Sequence, residues 1–170
     1  MSPLSQADRN LLRRETDISS IASPLLRNFN DYWLRKRGAA AIPSWSQIDP
    51  AELPALLPNL IVVGVEHEPL RIHYRLVGTL VAEFRGDVTG LYLDSVPWNT
   101  PETRLSIQGS YAIAIATRAP TFVEMVVRTK AGGSRRVFGG IWPLAPGPDA
   151  PVDRCVAVED YNDLTLAEIK

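Results

Sequence analysis

The sequence predicts an α+β domain: a five-stranded antiparallel sheet with short flanking helices, preceded by an N-terminal helical extension. Three observations predict it. Residues 71–76 alternate strictly, with Ile72, Tyr74 and Leu76 on one side and Arg71, His73 and Arg75 on the other. Period two with one apolar face is the pattern of a half-buried antiparallel strand. That strand runs straight into glycine-bounded turns. Thr79 can cap a short helix carrying Leu80, Val81 and Phe84, Gly86 closes it, and Gly90 precedes a further apolar turn over 91–96. The third observation is the order of elements: two strands, then helices, then three strands.

Composition sets the outer bounds. The chain has 170 residues, 45% hydrophobic and 22% charged, with a formal net charge of −1. That suits a single globular domain able to bury a core. Near-zero charge gives no field to steer nucleic acid or anionic lipid, and neither partner is expected. No apolar run approaches the ~20 residues of a membrane span, and the N-terminus lacks the apolar core of a signal peptide. A lone cysteine, Cys155, excludes an internal disulfide and fits a reducing compartment. A cytoplasmic protein is expected.

Leu4, Ala7, Leu11, Ile18 and Ile21 fall on a 3/4 spacing, which reads as an amphipathic helix, a very short coiled-coil seam, or a polar tail. A firmer helix follows, with Ser23 as N-cap, Pro24 in the first turn, an apolar stripe of Leu25, Leu26, Phe29, Tyr32 and Trp33, and Gly38 past the end. Its basic triplet, Arg35-Lys36-Arg37, is read as a solvated helix end complementing the dipole. The apolar surface of these two stripes exceeds what one small sheet covers, so a homodimer through the N-terminal helices is expected. The chain divides into a helical extension over 1–40 and a domain over 41–170.

Asp49-Pro50-Ala51-Glu52 starts a short helix, which leads into a buried strand over 59–66. The turn Glu66-His67-Glu68-Pro69 folds that strand back onto the 71–77 strand as an antiparallel pair. Gly78 and Gly90 sit where the chain reverses before a helix, a place for positive φ. Thr100 and Pro101 then start a long helix ending near Thr117, rich in small residues (Gly109, Ser110, Ala112, Ala114, Ala116). Strands follow over 121–129, 135–144 and 152–161, the first two joined by the glycine-rich turn Lys130-Ala131-Gly132-Gly133-Ser134. Residues 162–170 form at most a last helical turn.

The run from Tyr74 onward, Tyr74-Arg75-Leu76-Val77-Gly78-Thr79 followed by Glu83, Gly86, Asp87, Thr89 and Gly90, resembles a bacterial family of stand-alone PAS-like domains. Upstream landmarks of that family appear as Tyr32-Trp33, Arg37-Gly38, Pro43 and Leu56-Leu57-Pro58-Asn59-Leu60. The resemblance covers about residues 32–161 and implies a PAS-like fold and a sensor or regulatory role in signal transduction, with no catalytic motif.

The residues themselves point the same way. Two histidines and one cysteine supply no converging metal set. His73 lies opposite Ile72, Tyr74 and Leu76 and His67 sits in an acidic turn, so haem ligation is not expected. Flavin photochemistry of the light-sensing kind needs a cysteine on the flap helices, whereas Cys155 lies on the last strand. No cofactor is expected. No nucleophile motif appears, and Asp87 reads as a cap for the turn before Gly90.

The remaining candidate is a cavity between sheet and flap, lined by Tyr74, Leu76, Phe84, Leu91, Tyr92, Tyr111, Ala112, Ile115, Phe122, Met125, Phe138 and Trp142. Two readings stand for these residues: a filled core, or a pocket for a small apolar ligand with tyrosine hydroxyls to orient it. The function expected is a non-catalytic module binding such a ligand, an unidentified signalling protein, or both. One alternative is a small-molecule enzyme with Glu83, Asp94 or Glu124 as base. The other is a ligand-free adaptor.

Overall fold

The computed structural model describes residues 11–161. Its sheet has six antiparallel strands: β1 Leu11–Glu15, β2 Leu60–Glu66, β3 Arg71–Val77, β4 Thr121–Arg128, β5 Ser134–Leu144 and β6 Arg154–Asp160, in the spatial order β1-β4-β5-β6-β2-β3. Three α-helices accompany them: α1 Pro24–Arg37, α2 Thr79–Arg85 and α3 Pro101–Thr117. The two-strand, helix, three-strand order is the predicted one.

The sixth strand is a correction. The expected N-terminal helix is, over the described residues, strand β1 followed by a single 3-10 turn, Ile18–Ser20. Leu4 and Ala7 lie outside the described residues, as does the tail over 162–170. Once Arg13 and Arg14 interrupt the apolar pattern, a strand is the better use of the segment. Arg13 donates to the Glu124 carboxylate at 2.6 Å and Arg14 to the Ser110 hydroxyl at 3.0 Å, while the backbone pairs with β4. Glu124 is 3% exposed and is also paired with Arg136.

Helix α1 begins as its sequence dictates, with the Ser23 hydroxyl accepting from the Leu26 amide and Pro24 in the first turn. Leu26, Phe29, Tyr32 and Trp33 are buried against one face of the sheet. Phe29 meets the Trp142 ring edge-on at 4.7 Å. The Trp33 indole donates to the Pro143 carbonyl and the Trp142 indole to the Asn30 side chain, each at 3.0 Å. Of the two stripes that motivated a homodimer, the one on α1 is thus covered in large part by the protein's own sheet. The basic triplet lies on the helix surface, with Lys36 on Glu52 and Arg37 over the Trp33 ring.

Helices α2 and α3 occupy the opposite face. Thr100 caps α3, its hydroxyl accepting from the Thr103 amide at 3.1 Å, with Pro101 following. Gly78 departs from expectation: its φ is −61°, and a glycine is required by close approach instead. A Cβ there would lie 2.5 Å from the Leu57 carbonyl oxygen and press equally on Pro58. Gly90 does adopt a positive φ, +86°. Among the described residues no helix is long and apolar enough to cross a membrane.

Candidate functional site

Two cavities lie on the α2/α3 face. The larger is an open groove of about 820 Å³ between α3 and strands β4 and β5, with the flap at one end. Its sheet wall is apolar, because Val123, Met125 and Val127 alternate along β4 and share one face. Gly139 opposite them lets Val123 and Met125 lie flat, since a Cβ there would meet their side chains at 3.0 and 3.4 Å. The helix wall is largely hydroxylated. Thr103, Ser106 and Ser110 line the groove together with Ile107, and their 3/4 spacing puts them on one helical face.

The flap end carries the charge. Arg85, Asp87, Arg128 and Lys130 all line the groove, beside Trp98, Asn99 and Thr100. The hairpin tip is tied to the flap by the Lys130 amide donating to the Phe84 carbonyl at 2.7 Å. Asp87 accepts from the Thr89 amide and hydroxyl, and the Thr89 side chain and amide hold its carboxyl below the usual range. This is the turn-capping role expected of it. Trp98 lies over Gly86, where a Cβ would sit 2.9 Å from the indole, yet the ring is 55% exposed. It forms part of the groove's rim.

Behind the groove, Arg85 Nη1 donates to both Glu159 oxygens, at 2.7 and 2.8 Å. Glu159 is 3% exposed and the Arg85 side chain 23%. Burial alone works against the guanidinium charge, but Glu159, with Tyr161 and Tyr74 close by, more than restores it, so the group stays charged above its ordinary range. A buried pair of this kind keeps two charges where neither would be tolerated singly. The smaller cavity, about 30 Å³, adjoins it and is lined by Tyr74, Ile61, Arg85 and Trp98 among others. Burial pushes the Tyr74 phenol up to about 12. It raises Tyr111 and Tyr161 as well, with neighbouring Tyr74 and Glu159 respectively adding to the effect.

Of the twelve residues expected around one pocket, Met125 lines the groove and Tyr74 the small cavity. Tyr111 is buried, and Phe84 stacks on Tyr161 at 4.7 Å. Leu91, Ala112 and Ile115 are half-buried without lining either cavity. The others lie elsewhere. Phe122 and Trp142 pack edge-on at 5.6 Å on the α1 face. Phe138 sits opposite Glu124 and under Arg136 on that same face. Leu76 points outward, 41% exposed, because a bulge between Val62 and Val63 shifts the β2–β3 register and turns Tyr74 and Leu76 to opposite faces. Tyr92 stacks on His73 at the exposed edge.

Lining residues unnoticed in the sequence include Trp98, Thr103, Ser106, Val123 and Arg85, whereas Ser110 was named there as one of the small residues of the long helix. The hydroxyl spacing on α3 and the alternation of Val123, Met125 and Val127 were signals for them.

His67 bonds the Val152 carbonyl and His73 the Gly90 carbonyl, while Cys155 is fully buried on β6 with its thiol pushed up by burial. Among the described residues, no histidine or cysteine lines the groove. No cluster of three metal-ligating side chains occurs among the described residues. The three carboxylates considered as bases lie away from the groove. Glu83 is exposed, Glu124 is held by two arginines on the α1 face, and Asp94 is paired with Arg71. That pairing holds the Asp94 carboxyl below its usual range.

No curated protein matches the chain. Among solved structures it is similar to an RNA-binding light-oxygen-voltage receptor at 17% identity and a TM-score of 0.45, with 70% of this chain covered and 35% of that one. This chain thus spans about a third of that receptor's length. It is also similar to a light-oxygen-voltage domain studied with a flavin analogue, at 15% identity and a TM-score of 0.47, covering 66% and 83%. A sensory box histidine kinase/response regulator from Burkholderia thailandensis E264 shares 13% identity at a TM-score of 0.40, covering 66% and 83%. The model of one family, described as PAS domain, matches residues 21–146, from the turn before α1 through the end of β5. The chain belongs to the PAS-domain family.

Proposed function

We propose that this PAS domain is a sensor module that takes a small molecule in the groove between α3 and strands β4 and β5 and passes occupancy to a protein partner. The observation that carries this reading is the groove itself. Its volume of about 820 Å³ falls within the ~300–1,000 Å³ of typical small-molecule sites, and its walls differ in chemistry. An apolar strand face opposite a row of hydroxyls suits an amphipathic guest, more polar along one edge than the largely apolar ligand expected from sequence. The flap bears on transmission. Arg85, Gly86 and Asp87 end α2 and line the groove, so a guest touches the segment that joins α2 to the β3 edge.

A thermal-shift screen of metabolites and lipids tests the reading. A ligand that binds only the native state stabilises it by about 2.7 kcal/mol at a hundredfold excess over its dissociation constant. Ser106→Trp, on the half-exposed helix wall, fills the groove without entering the core and is expected to abolish every hit. Hits that survive Ser106→Trp, or a screen with none, contradict the proposal.

A further inference from the structure

We infer that the guest of this groove is an amphipathic monoanion, an apolar body ending in one carboxylate, held head-first at the flap end. This deepens the reading above and rests on it.

The charge count at the flap end carries the inference. Arg85 is neutralised by Glu159. Among the described residues, Asp87 is the only acid lining the groove, while Arg128 and Lys130 line it too and neither forms an ion pair. The rim is therefore left with one surplus positive charge. Asp87 forms no salt bridge with either cation: its Oδ1 accepts from the Thr89 amide and hydroxyl, and Lys130 adds only a weaker, longer-range attraction. Both cations are exposed, and exposed cations alone would mean little. Here they stand at the mouth of a cavity whose body is apolar on the strand side, with Val123, Met125 and Val127 facing Ile107. A neutral hydrophobe would leave the charge unanswered, and a cation would be repelled. A dianion would exceed the surplus. A carboxylate on an apolar body answers both halves: it accepts charge-assisted hydrogen bonds from Arg128 and Lys130, and its body covers the strand wall. The Ser106 hydroxyl of α3 lines the groove as well and offers a further donor along the guest's polar edge.

The test compares three probes of equal length on the full chain: decanoate, 1-decanol and decylamine. Binding is read by thermal shift and by the fluorescence of half-exposed Trp98, with Trp98→Phe as the signal control. Decanoate is expected to bind about tenfold more tightly than either other probe, the ratio that one charge-assisted contact supplies. That advantage should shrink as salt rises, because exposed charges are screened. The double variant Arg128→Gln/Lys130→Gln should bring decanoate down to the decanol level and leave decanol binding unchanged, which separates lost recognition from lost folding. Equal affinities for the three probes in the wild type overturn the inference while leaving a ligand-binding groove intact. So does a decanoate preference that persists in the double variant. Binding of none of the probes also overturns it, and the broader screen then decides the ligand-sensor reading separately.

Discussion

Two glycines that look alike in sequence are required for different reasons, and substitution separates them. Gly78 has an ordinary φ but no room, since backbone oxygens of Leu57 and Pro58 occupy the place of a Cβ. Gly90 has open space but a φ of +86°. Gly78→Ala must push rigid backbone and should cost about 3 kcal/mol. Gly90→Ala pays only the left-handed conformation, about 1–2 kcal/mol. Urea unfolding of the two variants checks the order, and a Gly90 variant less stable than the Gly78 variant would be wrong for this account. The buried tyrosines give a second residue-scale test. Tyr74 is pushed up to about 12 from 10.0 by burial, and burial raises Tyr111 and Tyr161 too. Because the folded pKa is the higher one, this stability is complete below pH 10 and is lost as pH climbs toward 12, where the unfolded chain releases protons the folded chain keeps. Stability should fall between pH 10 and 12, and Tyr74→Phe should reduce that slope by about 1.4 kcal/mol per pH unit. An unchanged slope would mean that the Tyr74 phenol is not sequestered.

At the scale of elements, α1 is bound to the sheet by aromatic packing and by indole hydrogen bonds from Trp33 and Trp142 that packing cannot replace. The Trp142 indole is fully buried and donates to Asn30. Asn30→Ala leaves that N–H without its partner and should cost about 1–3 kcal/mol, whereas Asn30→Asp keeps the acceptor and should cost less. Equal losses for the two would assign the effect to packing alone. Much of this level was legible in the sequence. The Ser23 and Thr100 caps, the alternation of 71–76 and the glycine-rich hairpin each depend on local chemistry, and local chemistry is what a sequence displays. The site was less legible, for reasons of geometry. Phe122 and Met125 are an odd number of residues apart on one strand, so they cannot share a face, and Phe122 follows Trp142 to the α1 side. Tyr74 and Leu76 are an even number apart and would share a face on an undistorted strand. A bulge between them at Arg75, which faces the consecutive pair Val62 and Val63, undoes that parity and is not marked by any glycine or proline in β3. β1 was hidden because its 3/4 spacing borrows Ile18 and Ile21 from the turn that follows it.

For the whole molecule, the sheet separates two environments. One face is a solid aromatic core under α1, with Phe29, Trp33, Phe122 and Trp142 each at most 2% exposed. The other holds the buried Arg85–Glu159 pair and the open groove. The division explains why the aromatic residues most suggestive of a pocket belong to packing, and why the walls of the groove are built mainly of α3 hydroxyls and β4 valines with Met125, its charges lying at the flap end. It also makes the central claim local. If the groove is the ligand site, a bound molecule acts on α3, on β4 and the hairpin, and on the flap at 85–87, and leaves the α1 face undisturbed. The most direct measurement is amide chemical-shift mapping by NMR, titrating in whichever compound stabilises the protein most. The account predicts shifts concentrated at 98–110, 123–134 and 85–87, with 24–37 unmoved. Shifts centred on α1, or spread evenly over the sheet, would contradict it.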